Sequence, residues 1–185
     1  HVQTCTAVVF ALLLAAPALA ADPYGKAVTQ DGPVAWWRFD GQGGAVANAA
    51  AETGNSLDGT VMRVARDAAG PRPGKFPDFA KDNRAAGFTG AGSRVVIPGK
   101  SASALKFKAG DTITIEAWVN PSAIHNDAQV YVVGKGRTGN PGFAGDNQNW
   151  ALRLRGEGNQ CVLSFLFRSE KNRPGQRDDW HRWNS

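Results

Sequence analysis

Apolar residues recur at every second position in this chain, and that alternation constrains the fold more than any other feature of the sequence. The clearest run is TITIEAWVN at 112–120, in which Ile113, Ile115 and Val119 fall on one side. Successive side chains of a β-strand point to opposite faces, so this spacing is typical of a strand with one buried face. Helical periodicity is nearly absent from the sequence. The pattern therefore predicts an all-β fold.

Short runs of this kind predict strands, and they are separated by segments rich in Gly, Pro, Asn and Asp, which favour turns. The predicted strands are residues 34–39, 59–64, 85–89, 94–97, 112–120, 130–133, 149–155 and 161–168. Both faces of the last run are apolar, so we expect it to lie in the middle of a sheet. We expect Arg153, Arg155 and Arg168 on an outward sheet face. The segment 66–82 is predicted to be a surface loop.

The composition excludes several classes of protein. Gly (22) and Pro (10) make up a smaller share of the 185 residues than in collagen-like or low-complexity chains. No apolar run approaches the ~20 residues that a transmembrane helix needs, so we expect no membrane span. The net charge of +5 raises nucleic acid as a partner. The basic residues do not cluster with base-stacking aromatic residues, however, and we expect no nucleic-acid binding.

The first 20 residues are interpreted as a secretory signal peptide. They combine an apolar run at 7–16 with the small-residue motif ALA at 18–20, which is typical of a cleavage site. The protein is therefore expected to be secreted, periplasmic or located at the cell surface. Removal of this segment takes Cys5 with it and leaves Cys161, which is interpreted as a small core residue, with a reactive thiol as the alternative.

The remaining chain is interpreted as a short linker over 21–32 and one domain over 33–185. The first predicted strand begins just after the linker. Trp180 and Trp183 stand near the end of the sequence without a turn or a cap after them. We therefore predict that the domain is incomplete at its C-terminus and that further domains of the same chain follow downstream.

Motifs for common chemistries are missing or incomplete in the sequence. The segment GKGRTG at 134–139 matches a dinucleotide-binding fingerprint, but Asn140 and Pro141 follow where a helix would have to start. This loop is interpreted as a strand connection, on which Lys135 and Arg137 are candidate contacts for an anionic ligand. The sequence shows no nucleophile–His–acid arrangement, no paired catalytic carboxylates and no His/Cys cluster. We therefore expect that this segment is not an enzyme.

Four segments together resemble the LamG-like jelly-roll domain of the concanavalin A-like lectin/glucanase superfamily. They are PVAWWRFD at 33–40, ETGNSLDGT at 52–60, AGFTGAGSRVVIP at 86–98 and TITIEAWVNP at 112–121. The resemblance implies an antiparallel β-sandwich of two sheets packed face to face. It also implies a module of exported proteins that binds carbohydrate or another protein.

Candidate site residues come from this resemblance and from the strand pattern. Some LamG-like domains bind calcium through Asp, Asn and backbone oxygens, and Asp40, Asn55 and Asp58 lie at the matching early turns. The resemblance therefore implies calcium as a cofactor of the protein. The strand pattern adds Trp118, whose ring is a candidate platform for a sugar, with a place in the core as the alternative.

Three hypotheses for function remain open at this point. The first is a non-catalytic carbohydrate-binding or adhesion module, whose partner is a glycan or a cell-surface protein. The second is an accessory N-terminal domain of a larger secreted enzyme whose catalytic part lies beyond residue 185. The third is a structural spacer that binds nothing.

Overall fold

The computed structural model describes residues 22–185 except 42, 51–56, 91, 99–103, 109, 137–148 and 169–179. Over these residues the chain forms one helix and nine strands. Their bounds are α1 Pro23–Gln30, β1 Ala45–Val46, β2 Gly59–Met62, β3 Val64–Ala69, β4 Arg84–Phe88, β5 Arg94–Val96, β6 Gln129–Lys135, β7 Trp150–Glu157, β8 Gln160–Arg168 and β9 Trp180–Asn184. Within the described part of the chain, no helix has both the length and the apolar composition required to cross a membrane.

The strands form three sheets. The first has the order β1-β2-β5, the second pairs β3 with β4, and the largest has the order β6-β7-β8-β9. Neighbouring strands in all three sheets are antiparallel. The structure therefore confirms the predicted all-β class, whereas the packing of two sheets into a jelly-roll sandwich stays a prediction.

The centre of the four-stranded sheet is its best-buried part. In β7 only Arg155 and Glu157 are not buried. On one face, Trp150, Leu152 and Leu154 are 6%, 8% and 8% exposed. Burial of such side chains contributes about 1.5–3 kcal/mol each, so this face anchors the sheet. β8 lies between β7 and β9, as predicted for a run that is apolar on both faces.

The chain between β5 and β6 covers this apolar face. The indole N–H of Trp150 donates to the carbonyl of Leu105 at 2.8 Å, and the rings of Trp150 and Phe107 lie 5.8 Å apart. A cavity of about 220 Å³ lies further along the same face and is lined by Ile113, Ile115, Leu152 and Phe165. The two isoleucines are half-buried and face the sheet across this cavity, so they lie on one side of the chain as their spacing predicts.

The run 112–120 is nevertheless not a strand, and the prediction is wrong on this point. It joins none of the sheets, and Val119 and Trp118 are 46% and 52% exposed. In its first half, Ile113 and Ile115 face the sheet across the cavity, without strand pairing of the backbone. The predicted strand at 34–39 also lies outside the sheets.

A buried asparagine holds that early segment in place. Asn48 is 6% exposed, and its side-chain oxygen accepts from the amide of Trp36 at 2.8 Å. The backbone amide of Asn48 donates to Asp58 Oδ1 at 2.7 Å. The indole N–H of Trp37 donates to the carbonyl of the fully buried Leu57 at 2.8 Å. These bonds fix the two tryptophans against the first sheet without strand pairing.

A single residue joins two of the sheets. β2 ends at Met62 in the first sheet and β3 begins at Val64 in the second, so the predicted strand 59–64 is split at Arg63. Arg63 has a φ of 54°, in the left-handed region that residues other than glycine adopt rarely. This conformation turns the chain out of one sheet and into the next.

The segment 66–82, predicted to be a surface loop, begins inside β3. Arg66 is 9% exposed, and its guanidinium donates to the carbonyls of Gly41, Gly43 and Ala45. The surface loop starts only where β3 ends. A buried arginine bonded to main-chain oxygens cannot be distinguished in sequence from a solvated one, and the prediction fails for this reason.

The structure adds two elements that the sequence pattern does not predict and corrects one residue. α1 lies in the segment interpreted as a linker, and β9 pairs along β8. Asp22 caps α1, because its carboxylate accepts from the amide of Gly25 at 2.9 Å. Cys161, interpreted as a core residue, is exposed, since it lies opposite Gly156 near the turn that joins β7 to β8.

Candidate functional site

Three aromatic rings from two other parts of the chain surround Trp118. The ring centroids of Phe76 and Phe79 each lie 5.0 Å from that of Trp118, at interplanar angles of 81° and 82°. Tyr24 lies 6.1 Å away at 89°. Edge-to-face pairs of this kind contribute about 0.5–1.5 kcal/mol each. We call Tyr24, Phe76, Phe79 and Trp118 the aromatic cluster.

Helix α1 and the loop after β3 hold the aromatic cluster together. Tyr24, on the first turn of α1, stacks on Phe79 at 4.4 Å, and its amide donates to the carbonyl of Asp78 at 3.1 Å. The start of the helix is tied down by Asp22, whose carboxylate accepts from Arg38 Nη2 at 2.6 Å. Phe79 is only 9% exposed, so the cluster has a buried side. Its exposed tryptophan is thus supported by neighbours that are themselves fixed.

Polar groups border the aromatic cluster. The ammonium of Lys75 lies 5.4 Å from the centroid of Phe76, within cation–π range. Glu116, two positions before Trp118, is exposed. Binding sites commonly combine an apolar surface with a few polar groups that fix orientation. A sugar matches this combination, because its C–H face packs on a flat ring while its hydroxyls bond to polar groups around the ring.

Lys135 and Arg137, the other predicted ligand contacts, belong to a different part of the chain. Lys135 lies at the end of β6, opposite Trp150. Burial lowers the pKa of Lys135, and the positive charge of Lys106 lowers it further. Arg137 lies outside the described residues. Trp118 lies in the aromatic cluster, whereas Lys135 lies near Lys106 and opposite Trp150. These two predicted ligand contacts therefore have different neighbours.

The two described residues of the predicted calcium set are engaged within the protein. Asp40 pairs with Arg38 Nε at 2.8 Å, and Asp58 accepts from the amide of Asn48 at 2.7 Å. Asn55 lies outside the described residues. Over the part of the chain that the structure describes, no three His, Cys, Asp or Glu side chains come together as a metal centre requires. A guanidinium beside a carboxylate opposes a divalent cation, so calcium stays a prediction that these contacts do not favour.

The four-stranded sheet carries a second candidate site on the face opposite the apolar one. Tyr131, Arg153, Ser164 and Asn184 lie directly opposite one another across its four strands. Arg153 is 5% exposed, so the predicted outward position is wrong for this residue. Arg182 lies two positions before Asn184 on β9 and therefore on the same face. We call these five residues the arginine face.

Arg153 is the centre of this face. Its Nη2 donates to Ser164 Oγ at 3.4 Å, and its guanidinium carbon lies 5.8 Å from the centroid of the Tyr131 ring. Its Nε is buried without a hydrogen-bond partner. Burial lowers the pKa of Arg153, and the positive charge of Arg182 lowers it further. The face therefore holds a buried cation whose hydrogen-bonding capacity is not fully used.

No family model, curated protein or solved structure matches the chain. The resemblance to LamG-like domains thus rests on the motifs quoted above. Function has to be inferred from the geometry of the aromatic cluster and of the arginine face.

Proposed function

We propose that this protein is a non-catalytic carbohydrate-binding module of an exported protein, and that Trp118 is the platform on which a sugar ring packs. The observation that carries this proposal is the combination of exposure and edge-to-face support at Trp118. The residue is 52% exposed, yet three aromatic rings lie within 6.1 Å of it.

A tryptophan that only filled a core would have a different environment. Trp150 shows that environment, since it is 6% exposed and its indole N–H donates to a main-chain carbonyl. Leaving a large ring half exposed gives up part of the ~1.5–3 kcal/mol that burial of a large apolar side chain provides. A ligand that covers the ring recovers this free energy. The support from neighbouring rings also lowers the entropy cost of binding, because the side chain is already ordered.

The proposal is tested with Trp118→Ala in the full chain. The probes are three neutral polysaccharides, laminarin, xylan and mannan, each cast in a native gel for affinity electrophoresis. We expect the native chain to be retarded by at least one polymer and Trp118→Ala to bind that polymer at least about tenfold more weakly, as is usual for a buried aromatic anchor.

The matched control is Trp183→Ala. Trp183 is 56% exposed and also has three ring neighbours, Phe165, Phe167 and His181. These rings lie nearly parallel to it, at 18–20°, whereas the neighbours of Trp118 meet it edge to face. We expect this variant to keep the affinity of the native chain. Circular dichroism of both variants checks that they are folded. The proposal is contradicted if none of the polymers retards the native chain, or if both variants lose affinity equally.

A further inference from the structure

The arginine face holds positive charge that the described residues do not neutralise. Arg155, on the same face of β7, pairs with Asp127 and with Glu157 at 3.0 Å each. Among the residues that the structure describes, neither Arg153 nor Arg182 has a carboxylate within ion-pair distance. The positive charge of this face is therefore concentrated on two guanidinium groups that lack a counter-charge.

Among the described residues, this arrangement leaves a buried charge without an ionic partner. Burying a charge without an ionic partner costs several kcal/mol, and Arg153 is 5% exposed. Ser164, its hydrogen-bond partner, has another partner in Asn184. With its amide oriented to suit both neighbours, Asn184 donates to Ser164 Oγ at 3.0 Å and accepts from Arg155 Nη1 at 3.3 Å. Arg153 bonds to Ser164 and to Tyr131, and its Nε is buried without a partner.

Arg182 is the exposed arginine of this face. It lies on β9, the outer strand of the sheet, and within the described residues no ion pair holds its side chain. A long exposed side chain of this kind changes rotamer at low cost. A ligand held by Arg182 therefore comes under the charge of Arg153 as well, since the two guanidinium groups are close enough to interact electrostatically.

We infer that the arginine face binds an oxyanion, a carboxylate or a sulfate, on an acidic polysaccharide, between Arg153 and Arg182. The guanidinium group suits this role, because its planar set of N–H donors matches the paired oxygens of such an anion. The oxyanion itself is inferred from the two guanidinium groups of this face. The attachment of that anion to a polysaccharide rests on the proposed function.

The first test uses Arg182→Gln in the full chain, with Arg84→Gln as the matched control. Arg84 is an exposed arginine on β4, in a different sheet, so both variants lose one surface charge. The probes are polygalacturonate, dextran sulfate and uncharged dextran, measured by isothermal titration calorimetry at equal ionic strength. We expect Arg182→Gln to bind the preferred acidic polymer about tenfold more weakly, equivalent to about 1.4 kcal/mol, and Arg84→Gln to bind it like the native chain.

The second test uses Arg153→Met, which removes the buried charge and keeps a side chain of similar length. We expect this variant to lose affinity for the acidic polymer while its free energy of unfolding stays equal or increases, because an unpaired buried charge is replaced by an apolar group. A clear loss of stability would show that Arg153 holds the fold together, and it would overturn the inference.

The probes keep this inference separate from the proposed function. If Trp118→Ala reduces binding of a neutral polymer but Arg182→Gln leaves binding of both acidic polymers unchanged, only the oxyanion site is refuted. If Arg182 controls binding of an acidic polymer and Trp118 affects no polymer, only the role of the aromatic cluster is refuted.

The choice of polymer identifies the anion. Preference for polygalacturonate identifies a carboxylate, and preference for dextran sulfate identifies a sulfate. Equal losses in Arg182→Gln and Arg84→Gln, or equally strong binding of duplex DNA, would overturn the inference.

Discussion

Two arginines are buried among the described residues, and their surroundings assign them different roles. Arg66 is 9% exposed and donates to three main-chain carbonyls that precede or begin the first sheet. Arg153 is 5% exposed, and its hydrogen bonds go only to two side chains, those of Ser164 and Tyr131. Arg66 therefore stabilises a loop, whereas Arg153 retains the capacity to bind a ligand.

We expect Arg66→Met to lower the free energy of unfolding by about 3 kcal/mol, because buried carbonyls left without a donor cost about 1–3 kcal/mol each and part of that cost is relieved by relaxation. Urea denaturation followed by fluorescence measures the change. Arg84→Met is the control, since Arg84 is exposed, and its effect is expected within about 0.5 kcal/mol. Equal stability of the two variants would show that the carbonyl contacts of Arg66 are not important.

For single residues, the sequence predicts which side chains share a face better than it predicts how deeply they are buried. Alternation along β7 places Arg153 and Arg155 on one side of the sheet, and the structure agrees. Whether such a side is solvated depends on residues from other strands, which alternation within one strand does not contain. The supports of Trp118 are also non-local in sequence, so its selection as a candidate could not include Tyr24 and Phe79.

The strand β6 shows how one irregularity defeats a prediction from periodicity. Tyr131 and Lys135 are four positions apart, so strict alternation would place them on the same face. The register shifts between Tyr131 and Val133, where one residue is left without a partner. As a result Tyr131 lies opposite Arg153 on the arginine face, while Lys135 lies opposite Trp150. The sequence contains no signal that locates this bulge.

The end of β7 depends on a glycine in close contact with the preceding turn. The carbonyl of Gly156 accepts from the amide of Asp127 at 2.9 Å, and its own amide donates to the carbonyl of Ala128 at 3.1 Å. A Cβ atom at this position would collide with the carbonyl oxygen of His125. Any larger residue therefore has to displace the turn from the sheet.

We expect Gly156→Ala to lower the free energy of unfolding by about 2–3 kcal/mol, the range for overpacking at a tight contact. Gly44→Ala is the control, since no heavy atom lies within 4 Å of the Cβ position there. Thermal unfolding by calorimetry compares the two. A Gly156→Ala variant as stable as the native chain would show that the turn moves freely from β7.

Burial is unevenly distributed over the whole molecule. β7 is paired on both sides and nearly all of its residues are buried. The first sheet consists of strands of two to four residues with alternating exposure. The two regions are therefore expected to open with different free energies, because local stability follows burial and hydrogen bonding.

Hydrogen exchange measured by mass spectrometry tests this difference. We expect the amides of β7 and β8 to exchange at least about tenfold more slowly than those of β2 and β5, since opening the sheet centre exposes the most apolar surface. Peptides that cover α1 give an internal reference for a short helix. Uniform exchange across the sheets would show that the molecule opens as a single cooperative unit.

The sequence predicts the all-β class of the molecule but not the arrangement of its sheets. Alternation marks β7 and β8, which contain buried residues, and also β4 and β5, whose inner residues are only half-buried. It also marks 112–120, where Ile113 and Ile115 face a sheet across a cavity without joining it. Side-chain periodicity reports contact with an apolar surface, whereas sheet membership depends on backbone bonds to distant residues, and that information is not local.

The left-handed residue between β2 and β3 has a mechanical consequence. With only Arg63 between the two strands, the first and second sheets have no slack in the chain that connects them. Tension applied to β2 passes into β3 through a single pair of backbone dihedrals, so the two sheets have to resist stretching together. A connection of this kind transmits load between the sheets instead of absorbing it.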